Sequence, residues 1–315
     1  MDLRQIETFV RVAEHGSFSR AATVLQIAQP ALSRQVRALE TDLRQRLFDR
    51  NGRGVTLTPA GRRLFAHGVG ILQQVERARL DLEEHRGAPV GRMALGLPPS
   101  VSRTLTAPLV QSFRERFPKA ALSIVEGLSA YMIEWLAQGR IDAAVVYQVT
   151  PPASVDLEPL AEESMFLVQA ASTGAGRGRL PKSPVSLSQL AEAELVIPSR
   201  PHSIRMLVES ALSSIGRKPR VALEVESVPA ILDLVAALPL GAVLPINALR
   251  DHRHRAALMA RPIRDADSRS HLQARLWLAT SSQRPRGPLL DQGLALVRQQ
   301  AESLWPRTGR PARTA

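Results

Sequence analysis

At 315 residues the chain is too long for one typical core and is expected to fold as two or three units, and its 44% hydrophobic and 22% charged residues place it among globular proteins. The absence of cysteine excludes disulfides, thiolate nucleophiles and cysteine metal sites. Residues 1–13 lack signal-peptide features and no apolar run approaches the roughly 18 residues of a membrane span, so a cytoplasmic chain without membrane contact is expected. The net charge of +12 suggests a polyanionic partner, yet 38 of the 41 cations are arginine, as codon bias in a GC-rich genome gives by itself. Its distribution says more: Arg20 to Arg63 holds nine arginines against Glu40, Asp42 and Asp49, a balance of +6 that fits a nucleic-acid footprint.

Leu3, Ile6, Phe9, Val10 and Ala13 recur at helical spacing and Gly16 stops that helix. Ser19 is expected to cap a second helix to Leu25, with Ala21 and Ala22 small enough for another helix to cross closely. Gln26 to Ala28 leave room for a tight turn. Pro30 suits the first turn of a third helix, whose stripe Leu32, Val36, Leu39 and Leu43 leaves Ser33, Arg34 and Arg37 facing outward. Asn51-Gly52 between short β-prone runs signals a hairpin carrying Arg50 and Arg53. Thr58-Pro59 opens a long helix to about Glu84, with Leu64, Ile71, Val75, Ala78 and Leu82 near heptad spacing. Gly68 and Gly70 each cost that helix roughly 1 kcal/mol relative to Ala, so it needs a packing partner.

Gly87 to Gly91 forms an expected hinge, after which short apolar strands alternate with helices. Strands are expected at 93–97, 121–126, 143–147, 166–170, 195–197, 221–225, 242–244 and 276–279, and such alternation predicts parallel sheets. Residues 173–186, rich in Gly, Pro and Arg, read as an exposed loop. His252 and His254, set among arginines, read as a solvated turn rather than a metal site. The fold class is α+β overall.

Two short helices crossing at a tight turn, the second presenting Ser, Arg and Gln, form a helix-turn-helix, and the basic hairpin makes it winged. An ordinary three-helix packing unit is the alternative. The segment MDLRQIETFVRVAEHGSFSRAATVLQIAQPALSRQVRALETDLRQRLFDRNGRGVTLTPAG resembles the N-terminal winged helix of LysR-type transcriptional regulators. EGLSAYMIEWLAQGRIDAAVVY and ALPLGAVLP resemble the family's two effector subdomains, while LPPSVSRTLTAPLV and EVESVPAILDLVAA are similar to its nitrogen-assimilation-control subgroup.

The resemblance implies a winged helix-turn-helix at 1–58, a linker and dimerisation helix at 59–87, an effector-binding domain at 88–303 and a basic flexible tail at 304–315. The effector domain would hold two subdomains like those of periplasmic binding proteins, 91–162 plus 267–303 and 163–266. It also implies that Gln29, Pro30, Ser33 and Arg34 lie at base edges of double-stranded DNA, with Arg50 and Arg53 on backbone or minor groove. The residue chemistry agrees, since Arg pairs bidentately with guanine and Gln with adenine. For Arg37, Arg44 and Arg46, phosphate contact and solvated surface stay equally open. The family's dimers and tetramers fit the stripe from Leu64 to Leu82, although a helix packed on its own domain would show the same stripe. A small polar or anionic effector is expected between the subdomains, where Ser100, Ser102, Ser129, Ser199, His202 and Ser203 follow strand ends. Any single serine there is as readily a helix cap.

These residues describe a nucleoid-associated regulator of transcription, with RNA polymerase as partner if it activates, and imply no cofactor or metal. An enzyme is the first competitor, but no phosphate loop, metal-spaced histidine cluster or paired nucleophile and base stands out. A transport receptor shares the C-terminal architecture and lacks the helix-turn-helix. A nucleoid-structuring protein is separable by specificity, since a regulator prefers its operator by about 10³ or more over random DNA.

Overall fold

The computed structural model describes residues 1–51, 54–83, 90–147, 150–171, 183–249, 252–264 and 271–305. Arg53, most of the expected hinge, most of the loop at 173–186 and the tail beyond residue 305 lie outside these residues, as do the side chains of Arg50 and Leu82.

Helix α1 (Leu3–His15) begins at a capping box between Asp2 and Gln5 and ends at Gly16, whose φ of 58° is a conformation glycine takes without strain. Helix α2 (Phe18–Leu25) is capped by Ser17 and not by Ser19. Ser19 falls inside the first turn, where its hydroxyl donates instead to Gln29 at 3.3 Å. Helix α3 (Gln29–Leu43) buries Leu32, Val36 and Leu39 in one core with Ile6, Phe9, Phe18 and Phe48. Each such side chain contributes about 1.5–3 kcal/mol, enough to hold α3 by its back alone. Strands β1 (Phe48–Asn51) and β2 (Gly54–Leu57) pair antiparallel with Asn51 opposite Gly54, so Asn51 ends a strand instead of occupying the turn. The wing is pinned to α3 by Glu40, whose carboxylate accepts the N–H groups of Leu47 and Phe48 at 2.8 and 3.3 Å.

Thr58 caps α4 (Pro59–Glu83), its hydroxyl accepting the Gly61 N–H at 2.9 Å. The helix's glycines are contact points rather than defects. A Cβ at Gly68 would lie 3.0 Å from Val10 of α1, and one at Gly70 would lie 1.8 Å from the backbone oxygen of Gln138. The linker helix is therefore laid directly on both the winged helix and the domain that follows.

That domain is built on β3 (Gly91–Leu97), β4 (Ala120–Glu126), β5 (Ala143–Tyr147), β6 (Val155–Ala170), β7 (Glu194–Ile197), β8 (Arg220–Glu224), β9 (Gly241–Pro245), β10 (Leu258–Pro262) and β11 (Gln273–Ser281). They form one connected array in the order β4-β3-β5-β11-β6-β9-β7-β8, with β10 also on β6. The expectation of parallel sheets holds only at the two ends. β3 pairs parallel with β4 and β5, and β7 with β8 and β9, whereas β6 is antiparallel to β11, β9 and β10. Strand β10 and the first half of β6 are absent from the sequence reading.

Strand β6 joins two lobes, pairing with β11 up to Ser164 and with β9 from Met165 onward. Lobe one carries α5 (Pro99–Arg116) and α10 (Pro288–Leu304), packed together on one sheet face, and α6 (Ser129–Gln138) on the other. Lobe two carries α7 (Leu187–Glu192), α8 (Ser203–Ser213) and α9 (Val228–Ala237). His252 and His254 do sit at a turn, but one that is solvated only in part: with Arg253 they surround the Asp233 carboxylate of α9, and the His252 side chain is 7% exposed where that of His254 is 43%. Among the described residues no group of side chains is arranged to hold a metal ion, and no helix is long and apolar enough to cross a membrane.

Candidate functional site

The buried back of α3 fixes what its front presents. Gln29, Pro30, Arg34 and Arg37 are exposed, Ser33 is half-buried beside them, and their spacing puts all five on one helical face. Gln26, held at a φ of 54°, makes the turn that angles α3 across α2. Ala28 offers no side-chain cap, Pro30 has no N–H to leave unpaired in the first turn, and the Ala31 N–H donates to the Ala28 carbonyl at 2.9 Å, so the helix starts without a capping side chain. Thr8 of α1 donates to Gln35, tying down the flank of the presenting face. Arg50 lies in β1, the first strand of the wing.

Along α4 the expected stripe divides. Leu64 and Ile71 are half-buried against the winged-helix core, together with Phe65 and Leu72. Val75 is half-buried further along, and Ala78 is exposed where it lines a cavity of about 320 Å³ between α4 and lobe one. The own-domain packing left open by the sequence thus accounts for the first half of the stripe.

Between the lobes lies a cavity of about 430 Å³, and four helices begin at its wall: α5 at Pro99 and Ser100, α6 at Ser129, α8 at Ser203 and α9 at Val228. Of the residues expected there, Ser100, Ser129, His202 and Ser203 line it. Ser102 and Ser199 do not. Ser102 is buried behind the wall, where its hydroxyl donates to Glu126 at 2.6 Å, and the Ser199 carbonyl accepts the His202 N–H at 3.1 Å to start the turn into α8. Ser129 is 3% exposed and accepts the Tyr147 N–H at 3.1 Å. Ser203 donates to it from the opposite lobe at 3.4 Å, so the two walls already touch. His202 caps α8 through Nδ1, and burial holds its pKa below the usual value, against the pull of the Glu226 charge.

Sequence reasoning missed Arg103, Glu126, Tyr147, Glu226 and Ser227, which also line the cavity. Ser227 was the findable one, since Ser227-Val228-Pro229 repeats the cap-then-proline signature used at Thr58-Pro59. At the hinge, Glu163 of β6 is 6% exposed and accepts from Tyr147 at 2.7 Å, Trp305 at 2.6 Å and Asn247 at 3.4 Å. Tyr147 also meets Ser100 at 2.9 Å. The carboxylate thereby ties β5 and the end of α10 in lobe one to the 3-10 turn Ile246–Leu249 of lobe two. Burial raises the Glu163 pKa, with those three hydrogen bonds pulling the other way.

A winged helix with an exposed arginine-bearing recognition helix, carried by a long helix on a two-lobed α/β receptor, is the build of a DNA-binding transcriptional regulator. Residues 3–62 match the family described as bacterial regulatory helix-turn-helix protein, lysR family, and residues 86–302 match the LysR substrate binding domain. The chain belongs to the LysR family of transcriptional regulators. It is 36% identical to the nitrogen assimilation regulatory protein nac of Escherichia coli over 79% of this chain and 80% of that one. It is 31% identical to the probable cat1 operon transcriptional activator of Acinetobacter lwoffii over 81% and 83%. Among solved structures, CbnR, a LysR family transcriptional regulator, superposes with a TM-score of 0.70 at 23% identity over 96% of this chain and 99% of that one.

Proposed function

We propose that this protein regulates transcription without catalysing a reaction, as a dimer that assembles further to a tetramer. Helix α3 lies in the major groove with Gln29, Pro30, Ser33 and Arg34 at base edges, while Arg37, Arg50 and Arg53 reach the DNA backbone or minor groove. A small polar effector binds between the lobes and changes how the subunits meet, and, where the protein activates, it contacts RNA polymerase. The observation that carries this reading is the face of α3, which exposes arginines and hydrogen-bonding groups while its back is locked in the core. The likeness to nac supports a place beside the nitrogen-assimilation regulators. A relative's structure, full-length CbnR complexed with its target DNA, supports the docking.

The test is a titration of Arg34→Ala and Arg44→Ala against operator and scrambled DNA. Arg34→Ala is expected to cost about 1–3 kcal/mol on the operator and to relax preference at one base position, while Arg44→Ala weakens both DNAs alike. Equal losses on both DNAs for Arg34→Ala would remove it from the base-reading set.

A further inference from the structure

The reading of the cleft as an effector site leaves open what it takes, and its lining narrows the chemistry. Two carboxylates line the cavity from opposite lobes: Glu126 at the end of β4, one oxygen of which accepts the Ser102 hydroxyl at 2.6 Å, and Glu226 just beyond β8. Among the described residues neither has an arginine or lysine within 4.0 Å. Arg103 is the one arginine among the described residues on that wall, and Arg200 at the mouth is engaged by Glu209 at 2.7 Å. Burial disfavours the charged form of His202, against the pull of Glu226. A simple anion would therefore meet more negative than positive side-chain charge.

The backbone argues the other way. Helices α5 and α6, of 18 and 10 residues, both start at the cavity, and no side chain caps either one. Their first-turn N–H groups and dipoles favour a carboxylate. A further recess of about 370 Å³ adjoins the cleft, shares Glu126 and Glu226 with it, and carries Tyr131 and Trp135. The Trp135 ring is already stacked by the Arg140 guanidinium, 5.1 Å from its centroid, so the exposed Tyr131 ring is the aromatic face beside the carboxylates that suits an ammonium. A bare anion satisfies the helix starts and is repelled by the glutamates; a bare cation does the reverse.

We propose that the inter-lobe cleft takes a small zwitterion of the amino-acid class. Its carboxylate sits at the starts of α5 and α6, and its ammonium lies between Glu126 and Glu226. Because the ammonium is held from both lobes, such a ligand draws them together, which gives it the differential affinity for one arrangement that regulation requires.

The full-length protein is titrated calorimetrically with each standard amino acid at about 10 mM, and with succinate, citrate and benzoate, a concentration that detects Kd values near 1 mM. Hydrogen exchange at 129–136 and 203–210 locates any binding. The expected result is that at least one amino acid binds and protects both segments. Its N-acetyl derivative and the Glu226→Gln and Glu126→Gln variants then each lose about tenfold or more in affinity. Glu226→Asp, which keeps the charge, recovers part of the loss. Binding of the anions alone, with the same segments protected, overturns the zwitterion and leaves the cleft as the effector site. Protection elsewhere in the chain overturns the cleft reading itself. Silence from every amino acid also overturns the proposal.

Discussion

Glu163 carries the largest burden of any single side chain at the hinge, because three donors from two lobes converge on a carboxyl almost cut off from water. Replacing it with leucine would strand the Tyr147, Trp305 and Asn247 donors, and an expected cost of about 3–5 kcal/mol follows from breaking such a buried group. Glu163→Gln keeps an acceptor for Trp305 and Asn247 and should cost far less in urea unfolding. The pH dependence has a definite sign. The folded-state pKa is raised from its ordinary value of 4.5, so the native protein binds the extra proton. That contribution is fully present below pH 4.5 and is lost as pH rises through the raised value. Wild type should therefore lose stability relative to Glu163→Gln over that interval, and parallel pH profiles for the two proteins would refute the assignment. Nothing in the local pattern marks this residue: Glu162, Glu163 and Ser164 are consecutive polar positions on β6, and only the pairing with distant β11 and β9 decides that Glu163 points inward.

At the scale of elements, α4 shows how a local penalty becomes a contact. In an isolated helix Gly70→Ala would gain roughly 1 kcal/mol. Here the added Cβ would overlap the Gln138 carbonyl oxygen, 1.8 Å away, and backbone on both sides leaves no flexible side chain to yield. The expected outcome is a net loss of about 1–3 kcal/mol with faster hydrogen exchange at the end of α6, and a raised melting temperature would show that linker and lobe do not rest on one another. Helices were legible because their apolar periods are set by neighbours in the chain, as with Leu32, Val36 and Leu39. The first half of β6 was not, since Asp156, Glu158, Pro159 and Glu162 interrupt any run of β-prone apolar residues. They persist in a strand because β11 supplies the ladder and because Arg298 and Arg275 take up Glu158 and Glu162. Ser102 does not line the cavity for a related reason: its place in the sequence is that of a helix start, yet the helix buries it, with its hydroxyl on Glu126. Such facts depend on partners far off in sequence, which neither period nor propensity encodes.

For the whole molecule, what matters is how two copies present two recognition helices. Since Leu64 and Ile71 already pack on their own winged helix, a second chain is expected to meet α4 from near Val75 onward, and the heptad spacing of the sequence puts Leu82 next. Val75→Glu combined with Leu82→Glu should leave the winged-helix core intact and yield a folded chain whose mass by light scattering is that of a monomer. A two-fold dimer places its two α3 helices on successive major-groove faces, so the wild-type footprint should show dyad symmetry with half-sites about one helical turn apart. The salt dependence of binding adds an independent count. Each neutralised phosphate contributes about 0.9 to the slope of log affinity against log salt, so halving the number of docked winged helices should roughly halve that slope. The charge-bearing variant is therefore expected to bind half-sites with about half the wild-type slope and with no cooperativity across the dyad. A variant that is monomeric by scattering yet keeps the full slope would mean that one chain makes all the phosphate contacts. The dyad would then belong to the DNA sequence and not to the protein.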